Sequence, residues 1–208
     1  MHVKALHRVM AYVCNTPKRG YFLNPKDKWD VNPNSYNFRI SGEADADFAK
    51  DPLTRRSVSG NVARLVEVPV IVKSVIQKLV AISVTESELY SGVTCAEDML
   101  YLWRLCRSIG ISIALPMILM IDNKGTVDTA NNWSCGGRMR HVKLNFLREL
   151  KEAGIIKTIW FQGWNNPAET LTKNLSGPDF NKHGMTLYGD DEYKAVRMRE
   201  GVGPRHIE

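Results

Sequence analysis

The sequence predicts an α/β domain built on a mixed five-stranded sheet flanked by helices. Three observations carry that expectation. Short β-branched runs with brief separations, between residues 38 and 74, fit an antiparallel meander. One apolar stripe at steps of three and four, from Leu89 to Ile109, fits a long helix packed on that sheet. An unbroken apolar run then ends at Asp122 and lacks alternation, as expected of a strand covered on both faces.

Taken in order, residues 2–14 place Val3, Leu6, Val9, Met10 and Val13 at helical spacing, which predicts a short amphipathic helix. A Pro-, Asn- and Lys-rich stretch from Thr16 to Asn37 reads as a linker or docking arm. Phe38 and Ile40 open the first strand, which runs to Phe48, and Val62–Val68 and Val70–Ser74 supply the next two. Glu88 opens the long helix beside Leu89, and Gly110 is placed to close it. The fourth strand spans Pro116–Asp122. His141–Glu152 is helical by its Val142, Leu144, Leu147 and Leu150 spacing, and Gly154 ends it. Residues Ile155–Phe161 form the fifth strand, and a short helix begins at Pro167 with proline in its first position. The polar tail after Ser176 reads as a loosely packed extension. The expected division is therefore an arm over 1–35, a domain over 36–176 and a tail over 177–208.

Of the 208 residues, 44% are apolar, enough to bury a core without help, and no run approaches a membrane span. The first residues lack the apolar stretch of a secretory signal, so no export is expected. The net charge of +6 favours a polyanionic partner such as nucleic acid. Cys14, Cys95, Cys106 and Cys135 form no C-x-x-C pair and read as reduced, buried thiols of a cytoplasmic or nuclear protein.

Four acids stand where structure alone does not favour them. Asp45 lies within a strand, Glu88 adjoins the start of the apolar helix stripe, Asp122 ends the buried fourth strand and Glu169 lies in the last short helix. Such carboxylates, brought together in space, repel unless a divalent cation neutralises them. Oxygen ligands without His or Cys point to Mg²⁺ or Mn²⁺ rather than zinc. A pair of such ions is an established device for phosphodiester hydrolysis. Taken singly, each acid also has an ordinary structural role: a turn former, a helix-start charge, a cap and a solvated surface group.

Several blocks, in order, resemble the ribonuclease H domain of copia-type LTR retrotransposon polyproteins. They are Asp45-Ala46-Asp47-Phe48-Ala49, Arg55-Arg56-Ser57-Val58-Ser59-Gly60, Lys73-Ser74 with Gln77-Lys78, Ala81 through Glu88, and Asp122-Asn123-Lys124-Gly125. Gly137-Arg138-Met139-Arg140-His141-Val142, Asn165-Asn166-Pro167-Ala168-Glu169 and Leu171-Thr172-Lys173 complete the set. Residues 1–38, including Leu6 through Tyr12, resemble the end of the preceding reverse transcriptase connection. Tyr188-Gly189-Asp190-Asp191 has the letters of a polymerase Y-x-D-D, but it sits in the polar tail with no hydrophobic hairpin around it, so polymerase activity is not implied. The resemblance implies a ribonuclease H-like fold and a metal-dependent endonuclease that hydrolyses the RNA strand of RNA–DNA hybrids with two Mg²⁺ or Mn²⁺ ions. Asp45 would bridge both metals, Glu88 and Asp122 would complete one site, and Glu169 would hold the water-activating ion. Within Glu86-Ser87-Glu88 the choice falls on Glu88, beside the buried stripe, and Asp47 is an outer candidate. Position 169 departs from the family, which carries Asp there.

Nucleic-acid contacts are expected from Arg138, Arg140, His141, Lys143 and Asn123. Between Gly136 and Lys157, six basic residues (including Arg148 and Lys151) face two acidic ones, and the arginines precede a helix start, where phosphate would offset the dipole. Trp133 and Trp164 could stack on bases, with Trp103 and Trp160 assigned to the core. Expected partners are an RNA–DNA hybrid and the rest of a reverse transcriptase polyprotein or a larger complex, with no membrane. The alternative is a domesticated, catalytically inactive ribonuclease H-like protein that acts as a binding or structural subunit of a larger assembly.

Overall fold

Strand β1 (Ile40–Asp47) alternates its side chains between two faces, and what each face meets organises the molecule. Toward one side lies α2 (Val84–Ser108), whose Ser91 hydroxyl donates to the Asp45 carbonyl at 2.7 Å. A Cβ on Gly42 would lie 2.5 Å from Met99 Sδ and 2.7 Å from Cys95 Sγ, so glycine there lets the helix lie directly on the strand. Toward the other side point Glu43 and Asp45, both buried.

A computed structural model of the chain describes residues 2–17, 20, 32, 36–132 and 142–188. It divides into two compact units, of which Leu23–His183 holds the sheet. Strands β2 (Val58–Leu65) and β3 (Val68–Ile76) pair antiparallel beside β1. Strands β4 (Met117–Ile121) and β5 (Ile156–Trp160) pair parallel on its other side, giving the order β3-β2-β1-β4-β5. Helices α3 (Lys124–Asn131) and α4 (Val142–Glu152) pack on each other and on α2. The buried core runs through Ile40, Leu89, Met99, Leu119, Ile121, Leu144, Leu147 and Ile156. Two 3-10 turns, Gly163–Asn165 and Pro167–Leu171, follow β5. In the other unit, α1 (His2–Asn15) confirms the expected helix, with Val3, Leu6, Val9, Met10 and Val13 exposed. No helix among the described residues is long and apolar enough to cross a membrane.

Several boundaries depart from the sequence reading, each for a physical reason. The second strand stops at Leu65, because Val66 (φ 49°) and Glu67 (φ 67°) form a two-residue hairpin turn with both residues left-handed. Glycine or asparagine usually marks such a turn; here burial of Val66 holds it in a conformation β-branched residues avoid. The long helix begins at Val84 rather than at Glu88, since the Ser83 hydroxyl accepts the Glu86 N–H at 3.1 Å. Strand β4 is not sealed on both faces: Ile118 and Met120 are half-buried. Helix α3, absent from the sequence reading, is short and rests on its Asn123 cap. The tail expected to be loose starts as a helix, α5 (Gly177–Tyr188), with Ser176 and Asp179 hydrogen-bonded across its first turn. Cys95 and Cys106 are buried as expected, whereas Cys14 is exposed.

On the face of β1 opposite α2, Glu43 pairs with Arg64 of β2, whose Nε lies 2.9 Å from both carboxylate oxygens. Both side chains are almost fully buried, and burial still pushes the Glu43 carboxyl above its ordinary range despite the guanidinium. Removing one partner would leave an uncompensated buried charge. Arg64→Ala is therefore expected to cost about 3–5 kcal/mol, read as a lower urea midpoint at unchanged slope.

Candidate metal centre

Asp45 sits near the C-terminal end of β1, and Asp122 immediately follows the C-terminal end of β4. Because these neighbours run parallel, their acidic ends lie side by side. Glu169 arrives from the turn Pro167–Leu171, which Asn166 fastens to the sheet. The Asn166 amide donates to the Ala44 carbonyl at 2.9 Å, and its Oδ1 accepts the Ala168 N–H at 3.1 Å. Gly60, opposite Asp45 in β2, makes room for that turn: a Cβ there would lie 2.6 Å from the Ala168 carbonyl oxygen and 2.9 Å from Leu171 Cβ. Carboxylate oxygens of Asp45, Asp122 and Glu169 thus fall within 4.8 Å of one another.

Glu88 reaches the same place from the second turn of α2. Its carboxylate accepts the Ala46 N–H, while Oε2 is buried without a hydrogen-bond partner. It is not among the three acids whose oxygens cluster within 4.8 Å, yet Asp122 and Asp45 both act on it. Glu86 is engaged elsewhere, accepting the Ile82 N–H at 2.7 Å and the Tyr90 hydroxyl at 2.7 Å. Asp47 pairs with Lys50.

Burial and mutual repulsion raise the proton affinity of the set. Burial, then Asp122 and Asp45, push Glu88 up to about 9. Burial and the Asp45 charge push Asp122 to about 6. Asp45 is raised chiefly by burial, against the Thr172 hydroxyl and the Lys173 ammonium. Two residues unassigned by the sequence reading therefore belong to the site. Thr172 donates to Asp45 Oδ2, and Lys173 Nζ lies 3.2 Å from Asp45 Oδ1 and 2.8 Å from Glu169 Oε1. Nearby, His183 Nε2 lies 3.9 Å from Glu169 Oε2, and burial lowers the proton affinity of that imidazole. The sequence signals for them were the Leu171-Thr172-Lys173 block of the resemblance and the Asn-Pro pair at 166–167, a helix-start signature that fixes where Glu169 and Lys173 fall.

The donor set fits a divalent cation. Oxygen ligands converge, a buried carboxylate oxygen on Glu88 lacks a partner, and a lysine ammonium already bridges two of the acids.

The expected nucleic-acid residues are placed only in part. Arg138, Arg140 and His141 lie outside the described residues, as does the side chain of Lys143. Asn123 is committed locally, its Oδ1 capping α3 through the Thr126 N–H at 2.9 Å and hydroxyl at 3.2 Å. Arg148 and Lys151, counted in the basic run, bind carbonyls at the end of α3 instead: Arg148 donates to Thr129 at 2.8 Å and to Asn132 at 2.6 Å, and Lys151 to Asn131 at 2.6 Å. Trp160, assigned to the core, is exposed and donates its indole N–H to the Asp122 carbonyl at 2.9 Å. Trp164 is exposed beneath Lys182, whose Nζ lies 3.9 Å from the ring centroid.

Two outcomes follow from this geometry. Gly60→Ala must displace the turn that carries Glu169, and is expected to cost about 1–3 kcal/mol in chemical denaturation. In chelator, Glu88 holds its proton more tightly folded than unfolded, between the ordinary value of 4.5 and about 9. Its contribution is complete below pH 4.5 and lost as pH rises through 9, so the melting midpoint should fall across that window. Midpoints measured from pH 5 to 9 with and without Mg²⁺ check this, with the ion expected to flatten the decline.

No family model matches the chain. It is 29% identical over 181 residues to the Retrovirus-related Pol polyprotein from transposon RE1 of Arabidopsis thaliana, covering 86% of this chain. A second such polyprotein, from transposon RE2 of the same plant, is also 29% identical over 84% of the chain, and one from transposon TNT 1-94 of Nicotiana tabacum is 27% identical over 64%. The chain spans only 12% of the length of the two Arabidopsis relatives. Among solved structures, LC11-RNase H1 in complex with RNA/DNA hybrid superposes with a TM-score of 0.50 at 12% identity, covering 64% of this chain and 94% of that one. The chain is thus similar over most of its length to the Pol polyproteins of these plant transposons, and its mixed five-stranded sheet with flanking helices is a ribonuclease H-like fold.

Proposed function

We propose that residues 36–176 act as a ribonuclease H domain: a metal-dependent endonuclease that hydrolyses the RNA strand of RNA–DNA hybrids. The observation that carries this reading is the convergence of Asp45, Asp122 and Glu169, with the buried, unpartnered oxygen of Glu88 beside them. The relatives' polyprotein context and the hybrid bound by LC11-RNase H1 support the substrate class. In this reading residues 1–35 are an arm from a neighbouring reverse transcriptase segment, and the partners are the hybrid and the rest of such a polyprotein.

Asp45, Glu88, Asp122 and Glu169 would hold Mg²⁺ or Mn²⁺, two ions in the full arrangement. Bound there, the ions would supply charge neutralisation and a water of lowered pKa. The chain's own residues do the positioning. Asn166 and Gly60 fix the turn so that Glu169, one methylene longer than the family's Asp, reaches Asp45 and Asp122. Glu88, held neutral by burial and its acidic neighbours, would have to release its proton to solvent before its carboxylate could serve as a ligand. Arg138, Arg140, His141, Lys143 and Asn123 are proposed to meet the sugar-phosphate backbone, which carries no base readout, as hybrid recognition by shape requires.

A second reading, a binding subunit without hydrolytic activity, draws on one observation: Lys173 already supplies a cation between Asp45 and Glu169. One assay separates the two. With Mg²⁺ the chain should cleave the RNA strand of a labelled hybrid. Asp45→Asn should lower the rate by about a thousandfold or more, several kcal/mol of transition-state charge stabilisation being lost, while the circular dichroism spectrum stays the same. Binding without cleavage by the unmodified chain would favour the second reading, and full activity in Asp45→Asn would overturn the first.

A further inference from the structure

Both carboxylate oxygens of Asp45 are already engaged. Oδ2 accepts from the Thr172 hydroxyl and Oδ1 lies 3.2 Å from Lys173 Nζ. Asp45 is fully buried, whereas the Lys173 side chain is 36% exposed, so the lysine reaches inward from solvent to a buried acid. The backbone holds it in that position. The Lys173 N–H donates to the Glu169 carbonyl at 2.9 Å, which sets the ammonium 2.8 Å from Glu169 Oε1 on the same turn. The ammonium also acts electrostatically on Asp122 and Glu88, so it serves the whole acid set rather than one surface pair.

We propose that Lys173 is a built-in counter-cation: in the metal-free chain its ammonium holds the position between Asp45 and Glu169 that a divalent ion takes, and loading of the ion requires the ammonium to withdraw to solvent. This deepens the metal-centre reading above and rests on it. Lys173 is then a positioning residue that lowers metal affinity while keeping the empty site folded. Four acids brought together without a metal would otherwise repel, and a charge-assisted hydrogen bond to a buried carboxylate is worth enough to matter in that balance. The residue competes with the metal by occupying the same oxygens, not by changing its own protonation.

Mn²⁺ binding to the full chain by isothermal titration tests this, with Lys173→Met and Lys173→Arg beside the unmodified protein. Lys173→Met should bind Mn²⁺ at least about tenfold more tightly, the range set by loss of one charged hydrogen bond, and should melt at lower temperature in chelator. Lys173→Arg keeps a cation and should restore weak binding and the higher midpoint. A merely structural lysine would weaken binding on removal, not tighten it. Equal or weaker Mn²⁺ binding by Lys173→Met, with the unmodified chain binding normally, overturns the counter-cation and leaves the metal centre standing. Binding by neither protein removes the metal centre and the inference with it. Should Lys173→Met fail to fold, acetylation of Lys173 in the unmodified chain, mapped by mass spectrometry, decides the matter. Labelling should rise several-fold when Mn²⁺ replaces chelator, and an unchanged or lower yield overturns the proposal.

Discussion

Repulsion between acids held at the end of a sheet is the constraint around which the Leu23–His183 unit is arranged. Two neighbouring strands that run parallel deliver Asp45 and Asp122 to one edge, Asp45 fully buried in β1 and Asp122 half-buried just past β4. Every nearby feature answers that constraint. A glycine stands where a side chain would push the Glu169 turn away, a buried asparagine ties that turn to β1, and a threonine hydroxyl and a lysine ammonium divide the two oxygens of Asp45 between them. What the protein does not neutralise it protonates: Glu88 stays largely neutral until something positive arrives.

The parts readable in sequence were those with a periodic or compositional signature. The stripe from Leu89 to Ile109, the apolar run before Asp122 and the β-branched segments each imposed a geometry that the fold adopts. The acids were readable because carboxylates in strands and beside apolar stripes are costly, and the structure brings three of them into one cluster with Glu88 at its border. The hairpin at Val66–Glu67 was hidden because burial there overrides turn preference. Helices α3 and α5 were hidden because their stability comes from caps at Asn123 and Ser176 rather than from a broad apolar face.

Leu171-Thr172-Lys173 stood out as a block of the resemblance, but the roles of Lys173 and Thr172 did not, for a different reason. A lysine four residues after a glutamate looks like an exposed helical pair of small worth, and only the long-range approach of Asp45, 128 positions away, changes its meaning. The basic run shows the converse. Arg148 and Lys151 look like phosphate ligands by composition, yet they close the carbonyl end of α3. Charge is legible in sequence; its partner is not.

The turn carrying Asn166, Glu169, Thr172 and Lys173 follows the last strand of the sheet, so the pocket is completed by a segment that leaves the ribosome after all five strands. A nascent chain that has formed only β1 to β4 holds Asp45, Glu88 and Asp122 but lacks Glu169 and the Thr172 and Lys173 groups that engage Asp45. On the proposed function, such a partial chain has an incomplete acid set, and the site closes only once that turn has emerged and docked.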